Sequence, residues 1–279
     1  MPWHARLELD YTRDANAPDR TVARHRHEGP LRILQSLYPE GDGVCHNVLV
    51  HPPGGLVGGD VLDITLRVGP GAHGLVTTPG ASRFYRSQGE VARQHTRIAV
   101  GEGARLEWLP LEAICYDACD AENRLDLQLA PGAGLIGWDL TAFGLPHAGL
   151  PFLRGRLRQH IEMPGIWLER GTVEASDARL LDGPLGLAGH RCMATIFLAA
   201  GEALLRTERE QALDVARAVI DAHALRDTAG VTSPDGRLVV VRALAPVVEP
   251  AMHLARAVRA AWRGACWGLA PTAPRIWNM

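Results

Sequence analysis

The residues able to do chemistry here are carboxylates, imidazoles, thiols and guanidinium groups set in glycine-rich or strand-like segments. The densest segment is His51-Pro52-Pro53-Gly54-Gly55-Leu56-Val57-Gly58-Gly59-Asp60. Four glycines and two prolines in ten residues exclude regular helix and strand. The backbone must take positive φ there or run close against another segment. Asp60 then either caps local N–H groups or offers its carboxylate to a cavity lined by the loop. The segment is a poor phosphate cradle, because Val61 to Val68 alternates as a strand where a helix N-terminus is needed.

Other candidates carry two readings each. Thr77 to Ser87 gathers Arg83, Phe84, Tyr85 and Arg86, either a solvated loop with one aromatic tucked under it or a docking surface of guanidinium and aromatic anchors. Cys115 and Cys119 are either incidental buried thiols or two soft ligands brought together by a turn. Arg24-His25-Arg26-His27 places two imidazoles on one side of an extended segment, but the arginines beside them would repel a cation, so a solvated arm is expected. Asp139, Glu169 and Glu174 stand among Leu, Ile and Trp in strand-like runs. They point either to solvent on a polar face or inward with Asp60, where they would make a wet acidic interior suited to a divalent ion in transit.

The elements that must position these groups follow from a weak repeat. Val68-Gly69-Pro70-Gly71-Ala72, Val100-Gly101-Glu102-Gly103-Ala104 and Leu129-Ala130-Pro131-Gly132-Ala133 share one form, about 30 residues apart. Pro before Gly suits a type II turn. Leu62, Ile64, Leu66 and Val68, then Ala104, Leu106 and Trp108, then Leu125, Leu127 and Leu129 alternate with polar residues. These read as half-buried antiparallel strands joined by tight turns. Further strands are expected at Arg154–Met163, Ile166–Glu174 and Arg237–Leu244, the last after the turn Ser233-Pro234-Asp235-Gly236.

Helix signals come late. Thr207 and Glu210 form a capping-box pattern ahead of Ala212, Val215, Ala216, Val219 and Ile220, and a second helix is expected after Glu249 with Pro250 at its first position and Met252, Ala255, Val258 and Trp262 on one side. The expected fold is mainly β: stacked antiparallel sheets of β-helical type with about two α-helices in the C-terminal third. One domain spans 1–279, with a β scaffold over roughly 1–200 and a helix-containing part over roughly 201–279. The second helix and the apolar stretch from Leu185 to Leu205 are the expected partner surfaces.

Composition narrows the function. The 29 basic residues are all Arg, against 31 acidic ones, for a formal charge of −2. Without lysine there is no P-loop and no Schiff base. Near balance argues against a nucleic-acid binder. Five cysteines, an odd number, with no apolar leader after Met1 read as thiols in the cytosol. His190, Arg191 and Glu202 interrupt the longest apolar stretch, so no membrane span is expected. HExxH, GxSxG and CxxC are missing, which removes the familiar hydrolase and structural-zinc patterns.

Taken in order, Gly29-Pro30-Leu31-Arg32, the His51–Asp60 segment, Thr77-Thr78-Pro79-Gly80-Ala81, Leu106-Glu107-Trp108-Leu109-Pro110 and Pro274-Arg275-Ile276-Trp277 run through almost the whole chain. This order resembles the UreD family of urease accessory proteins, called UreH in some bacteria. The resemblance implies a non-enzymatic maturation factor that binds UreF, recruits the GTPase UreG through it, docks on apo-urease and helps place two nickel ions. It also leaves room for a dimeric accessory complex. Nickel would be cargo in an internal channel, with no cofactor stably bound. By motif, the channel positions would fall on Asp60, Ser82, Asp139 and Glu169 or Glu174. From the residues themselves, the expected docking positions are Arg83, Phe84, Tyr85, Arg86 and Trp262, and Cys115 and Cys119 are metal candidates that lie outside the family pattern. Relatives commonly carry Glu where this chain has Asp139. Carboxylate, hydroxyl and water ligands hold Ni²⁺ loosely enough to release it, whereas a His/Cys cage would trap it. Two other readings stay open: a metal-dependent hydrolase using Asp60, Asp139 and His51 or His190, and a stable nickel store.

Overall fold

In the computed structural model, which describes residues 2–278, each member of the repeat is a turn closed by an i to i+3 hydrogen bond. The N–H groups of Ala72, Ala104 and Ala133 donate to the carbonyls of Gly69, Gly101 and Ala130 at 3.1, 3.1 and 3.0 Å. Gly71, Gly103 and Gly132 take φ of 66°, 61° and 69°, the left-handed region that a Cβ disfavours. The turns stack on one another: Gly71 N–H donates to the Glu102 carbonyl at 2.9 Å, and Gly103 N–H to that of Pro131 at 3.3 Å.

The first half of the chain contributes β1 (His4–Arg13), β2 (Thr21–Glu28), β3 (Arg32–Ile33), β4 (Cys45–Val50), β5 (Val61–Val68), β6 (His73–Thr77), β7 (Ser82–Phe84), β8 (Ala92–Val100), β9 (Arg105–Leu109), β10 (Ala113–Cys115), β11 (Cys119–Leu129) and β12 (Gly134–Leu145). The second half adds β13 (Leu150–Pro151), β14 (Gly155–Met163), β15 (Trp167–Glu174), helix α1 (Ala178–Asp182), β16 (Cys192–Ala200), α2 (Arg206–Asp221), β17 (Ala229–Asp235), β18 (Leu238–Ala245) and α3 (Val248–Trp267).

Two large sheets result. The first has the order β15-β14-β11-β8-β5-β1-β2, and the second runs β17-β18-β16-β12-β9-β6-β4-β3, with β7 and β10 forming a side branch on β12. The expected mainly β stack with late helices is present, but its direction of pairing differs. Strands β1, β5, β8, β11 and β14 pair in parallel, as do β4, β6, β9 and β12. Antiparallel pairs occur at the ends: β1–β2 and β14–β15 in the first sheet, and β3–β4, β12–β16, β16–β18 and β17–β18 in the second. The reason is the turn. It carries the chain from one sheet to the other, β5 to β6, β8 to β9 and β11 to β12, so each strand pairs with its counterpart one coil later. Alternation alone cannot distinguish this from a hairpin, because both bury every second residue.

One apolar core fills the space between the sheets, and a second lies between the second sheet and helices α2 and α3. Helix α2 starts one residue before the expected cap. Glu208, not Glu210, reaches back to accept the Leu205 N–H at 2.9 Å. Helix α3 starts at Val248, so Pro250 is its third residue. The apolar faces expected to receive partners are largely spent inside the chain. Strand β16 is almost wholly buried, Leu254, Val258 and Trp262 pack against the second sheet's side of the core, and only ends such as Leu185 and Leu205 are exposed.

A buried charge cluster fastens α3 to the sheet. Arg259 Nε donates to Glu107 Oε2 at 2.6 Å, and Arg263 donates to both Glu107 and Glu40. His46 lies 2.7 Å from Glu40. Burial alone would raise the Glu107 carboxyl, but His73, Arg259 and Arg263 hold it down at about 2.

Candidate functional site

Strand register gathers polar side chains into a seam between the sheets. In the first sheet Gln94 of β8, Asn123 of β11 and Gln159 of β14 stand in one row, and Thr96, Leu125, Ile161 and Glu169 in the next row on the same face. In the second sheet Asp139 of β12 pairs with Thr195 of β16, which pairs with Arg242 of β18. Thr96, Asn123, Gln159, Thr141 and Thr195 are all buried. Burying amides and hydroxyls costs free energy unless they are hydrogen-bonded, and here side-chain bonds join the sheets. Asn123 Nδ2 donates to Asp139 Oδ2 at 2.7 Å, and the Thr195 hydroxyl donates to Glu169 Oε1 at 3.3 Å. Thr141 adds a bond to Asp139 Oδ1 at 3.2 Å, and Arg242 caps Glu169 at 2.5 Å.

Burial pushes the Asp139 carboxyl above the usual carboxylate range. Hydrogen bonds from Gln159, Thr141 and Asn123 oppose the rise, and the Glu169 charge adds to it. Ser82, Gln94, Thr96, Asn123 and Asp139 line a small cavity of 20 Å³, room for about one water. Ser82 and Gln94 also line a 220 Å³ surface pocket with His51, Thr78 and Arg83. The two spaces therefore share a wall. Among the described residues, His51 Nε2, Thr96 Oγ1 and Gln159 Oε1 are buried without a hydrogen-bond partner. Such orphaned atoms mark places for water or an ion. Burial lowers the pKa of His51, with the Asp60 charge opposing, so its imidazole is neutral at physiological pH.

Comparison with known proteins matches residues 4–278 to the family model described as UreD urease accessory protein. The chain belongs to the UreD family. It is 69% identical over 279 residues to the urease accessory protein UreD of Paracidovorax citrulli and 67% identical over 279 residues to that of Polaromonas naphthalenivorans, each match covering 100% of both chains. A more distant relative, UreD of Methylibium petroleiphilum, is 49% identical over an alignment of 295 residues that again covers both chains in full. Among the described residues, no helix of this UreD-family chain is long and apolar enough to cross a membrane.

The channel positions implied by the UreD resemblance fall in different places. Ser82, Asp139 and Glu169 belong to the seam. Asp60 does not line it: the carboxylate is buried and accepts the N–H groups of Trp3 at 2.7 Å and Val57 at 2.9 Å, the capping reading. Glu174 faces out. It lies five residues from Glu169, so the strand's alternation puts the two on opposite faces, and Glu174 is exposed opposite Arg156.

Of the docking positions, Phe84 and Trp262 are fully buried, so their rings present nothing to a partner. Trp262 instead donates to the Ala212 carbonyl at 2.9 Å. Arg83 and Tyr85 are half-buried and Arg86 is exposed. The glycine loop packs on this segment: a Cβ on Gly55 would lie 2.4 Å from the Tyr85 ring and 2.8 Å from the Arg83 carbonyl. Cys115 and Cys119 are buried in the core. A hydrogen bond with Cys119 and burial hold the Cys115 thiol up, which suits packing better than metal ligation. The seam residues missed in the sequence carry a faint signal. Asn123 follows Ala121 and precedes Leu125, and Gln159 sits between Leu157 and Ile161, each a polar residue at an apolar beat.

Proposed function

We propose that this chain is a non-enzymatic urease maturation factor of the cytoplasm. It docks apo-urease with UreF and, through UreF, with the GTPase UreG, and it passes Ni²⁺ along the polar seam. The observation carrying this reading is the seam of Ser82, Gln94, Thr96, Asn123, Asp139 and Glu169 across an otherwise apolar core, with orphaned polar atoms beside it. Amide, hydroxyl and carboxylate oxygens suit a hard or borderline cation and let it go. The cavity holds about one water, so a solvated ion passes only if the sheets part locally. The bonds that must open are Asn123 to Asp139, and Thr195 and Arg242 to Glu169. Arg242, bound to Glu169 and half exposed, sits where the seam meets solvent. A hydrolase centre built from Asp60 and Asp139 finds no support, because both Asp60 oxygens are occupied by backbone N–H groups.

The test is co-expression with apo-urease and its accessory partners. Asn123→Leu and Asp139→Leu should lower urease nickel content severalfold while a tagged chain still captures UreF, UreG and urease. Glu174→Ala should leave nickel loading unchanged. Full loading with both seam variants would overturn the conduit, and failure of the wild-type chain to capture UreF would overturn the docking.

A further inference from the structure

The outer face of the first sheet carries a second group of ligating side chains, turned away from the seam. On β14, His160 and Glu162 point outward between the buried Leu157, Gln159, Ile161 and Met163. On β11, Asp126 lies in register with Glu162, and Arg124 with His160. One ligand atom from each of Asp126, His160 and Glu162 falls within a common span of 4.8 Å. His160 Nε2 is 2.8 Å from Glu162 Oε2 and 4.0 Å from Asp126 Oδ1. Groups bound to one ion at about 2 Å lie about 3 Å apart, so His160 and Glu162 already have ligand spacing and Asp126 Oδ1 must close on His160 by about 1 Å.

The neighbours prepare this arrangement. Arg97 Nη2 lies 2.6 Å from His95 Nδ1, and a guanidinium can only donate, so His95 carries its proton on Nε2. That proton is directed at Asp126 Oδ2, 2.5 Å away, which leaves Oδ1 facing His160. A donor fixed behind a ligating carboxylate is the usual support of a metal site. Asp126 and Glu162 also line an open groove of 370 Å³ with Arg97, Arg124 and Pro164, so further coordination positions stay open to water. Arg124 works against the ion. Its Nε is 2.9 Å from both Asp126 oxygens, and its Nη2 is 3.7 Å from Glu162.

We propose that Asp126, His160 and Glu162 form a surface site for a borderline divalent transition ion such as Ni²⁺, Zn²⁺ or Co²⁺. One imidazole and two carboxylates match that class of ion. His95 is a positioning residue. Arg124 competes for Asp126 and leaves a local charge of −1, the two carboxylates less one guanidinium, so the ion exchanges readily. The proposal does not depend on conduction through the seam.

The test uses the full chain. Equilibrium dialysis against Ni²⁺ and Zn²⁺, and the visible absorption of added Co²⁺, should show one equivalent that is lost in the double variant His160→Ala/Glu162→Gln. Arg124→Gln should tighten binding about tenfold by freeing Asp126. Thermal melts of each variant separate loss of the site from loss of the fold. Three results would overturn the proposal: unchanged stoichiometry in the double variant, weaker binding in Arg124→Gln, or loss of the equivalent in His25→Ala/His27→Ala, whose stacked rings lie 5.5 Å apart elsewhere on the sheet.

Discussion

Both oxygens of Asp60 end on backbone N–H groups, and this ties the start of β1 to the glycine loop. Hydrogen bonds to a charged acceptor contribute about 1.5–3 kcal/mol each. Asp60→Ala should therefore lower stability by about 3 kcal/mol, read as a shifted urea midpoint with unchanged slope, and Asp60→Asn, which keeps one acceptor, by about half as much. Asp139 behaves oppositely. Its carboxyl is raised in the folded state, so ionising it costs stability. The penalty is absent below the unfolded value near 3.8, grows as pH rises through the folded value, and is full above it. Asp139→Asn should melt higher than the wild type at mildly alkaline pH, and the gap should close as pH falls into the carboxylate range. A variant that melts lower at every pH would show that the carboxylate's hydrogen bonds outweigh its desolvation.

At the scale of elements, the decisive contact is between α3 and β9. Arg259 and Arg263, one turn apart on the helix, converge on Glu107, which a central strand holds at zero exposure. Removing one member of a buried ion cluster leaves uncompensated charge and costs about 3–5 kcal/mol. Glu107→Gln should release α3, seen as faster amide exchange over Val248–Trp267. The sign with pH follows from the depressed carboxyl. Its contribution is complete above the unfolded value of 4.5 and is lost as pH falls towards about 2. The variant should lose that acid-sensitive component. The helix itself was readable from its apolar spacing, but that spacing does not mark Arg259 and Arg263 as buried. Their burial depends on Glu40 and Glu107, more than 150 residues away in the chain, and no local pattern reports such a partner.

At the scale of the whole molecule, the end of the chain closes onto the middle of the fold. Trp277 Nε1 donates to Thr77 Oγ1 at 3.0 Å, its ring lies 5.6 Å from Trp138, and the Arg256 guanidinium sits 4.6 Å over it. Trp277→Ala should cost about 2 kcal/mol and speed amide exchange at β6 as well as at the C-terminus. Slow exchange at β6 in that variant would show the tail to be a passenger. The order of motifs, the positive-φ glycines, the two long helices and the family were legible in the sequence, because each depends on residues near one another in the chain or on a linear order. Glu169 and Glu174 were separable by parity once the strand's buried beat was known. The direction of pairing, the burial of Phe84 and Trp262 and the polar seam were decided by tertiary structure. A strand with one buried face shows the same alternation whichever way its neighbour runs. The seam exists only where the register sets Asn123 against Asp139 and Thr195 against Glu169, and register is a property of paired strands that neither strand carries alone.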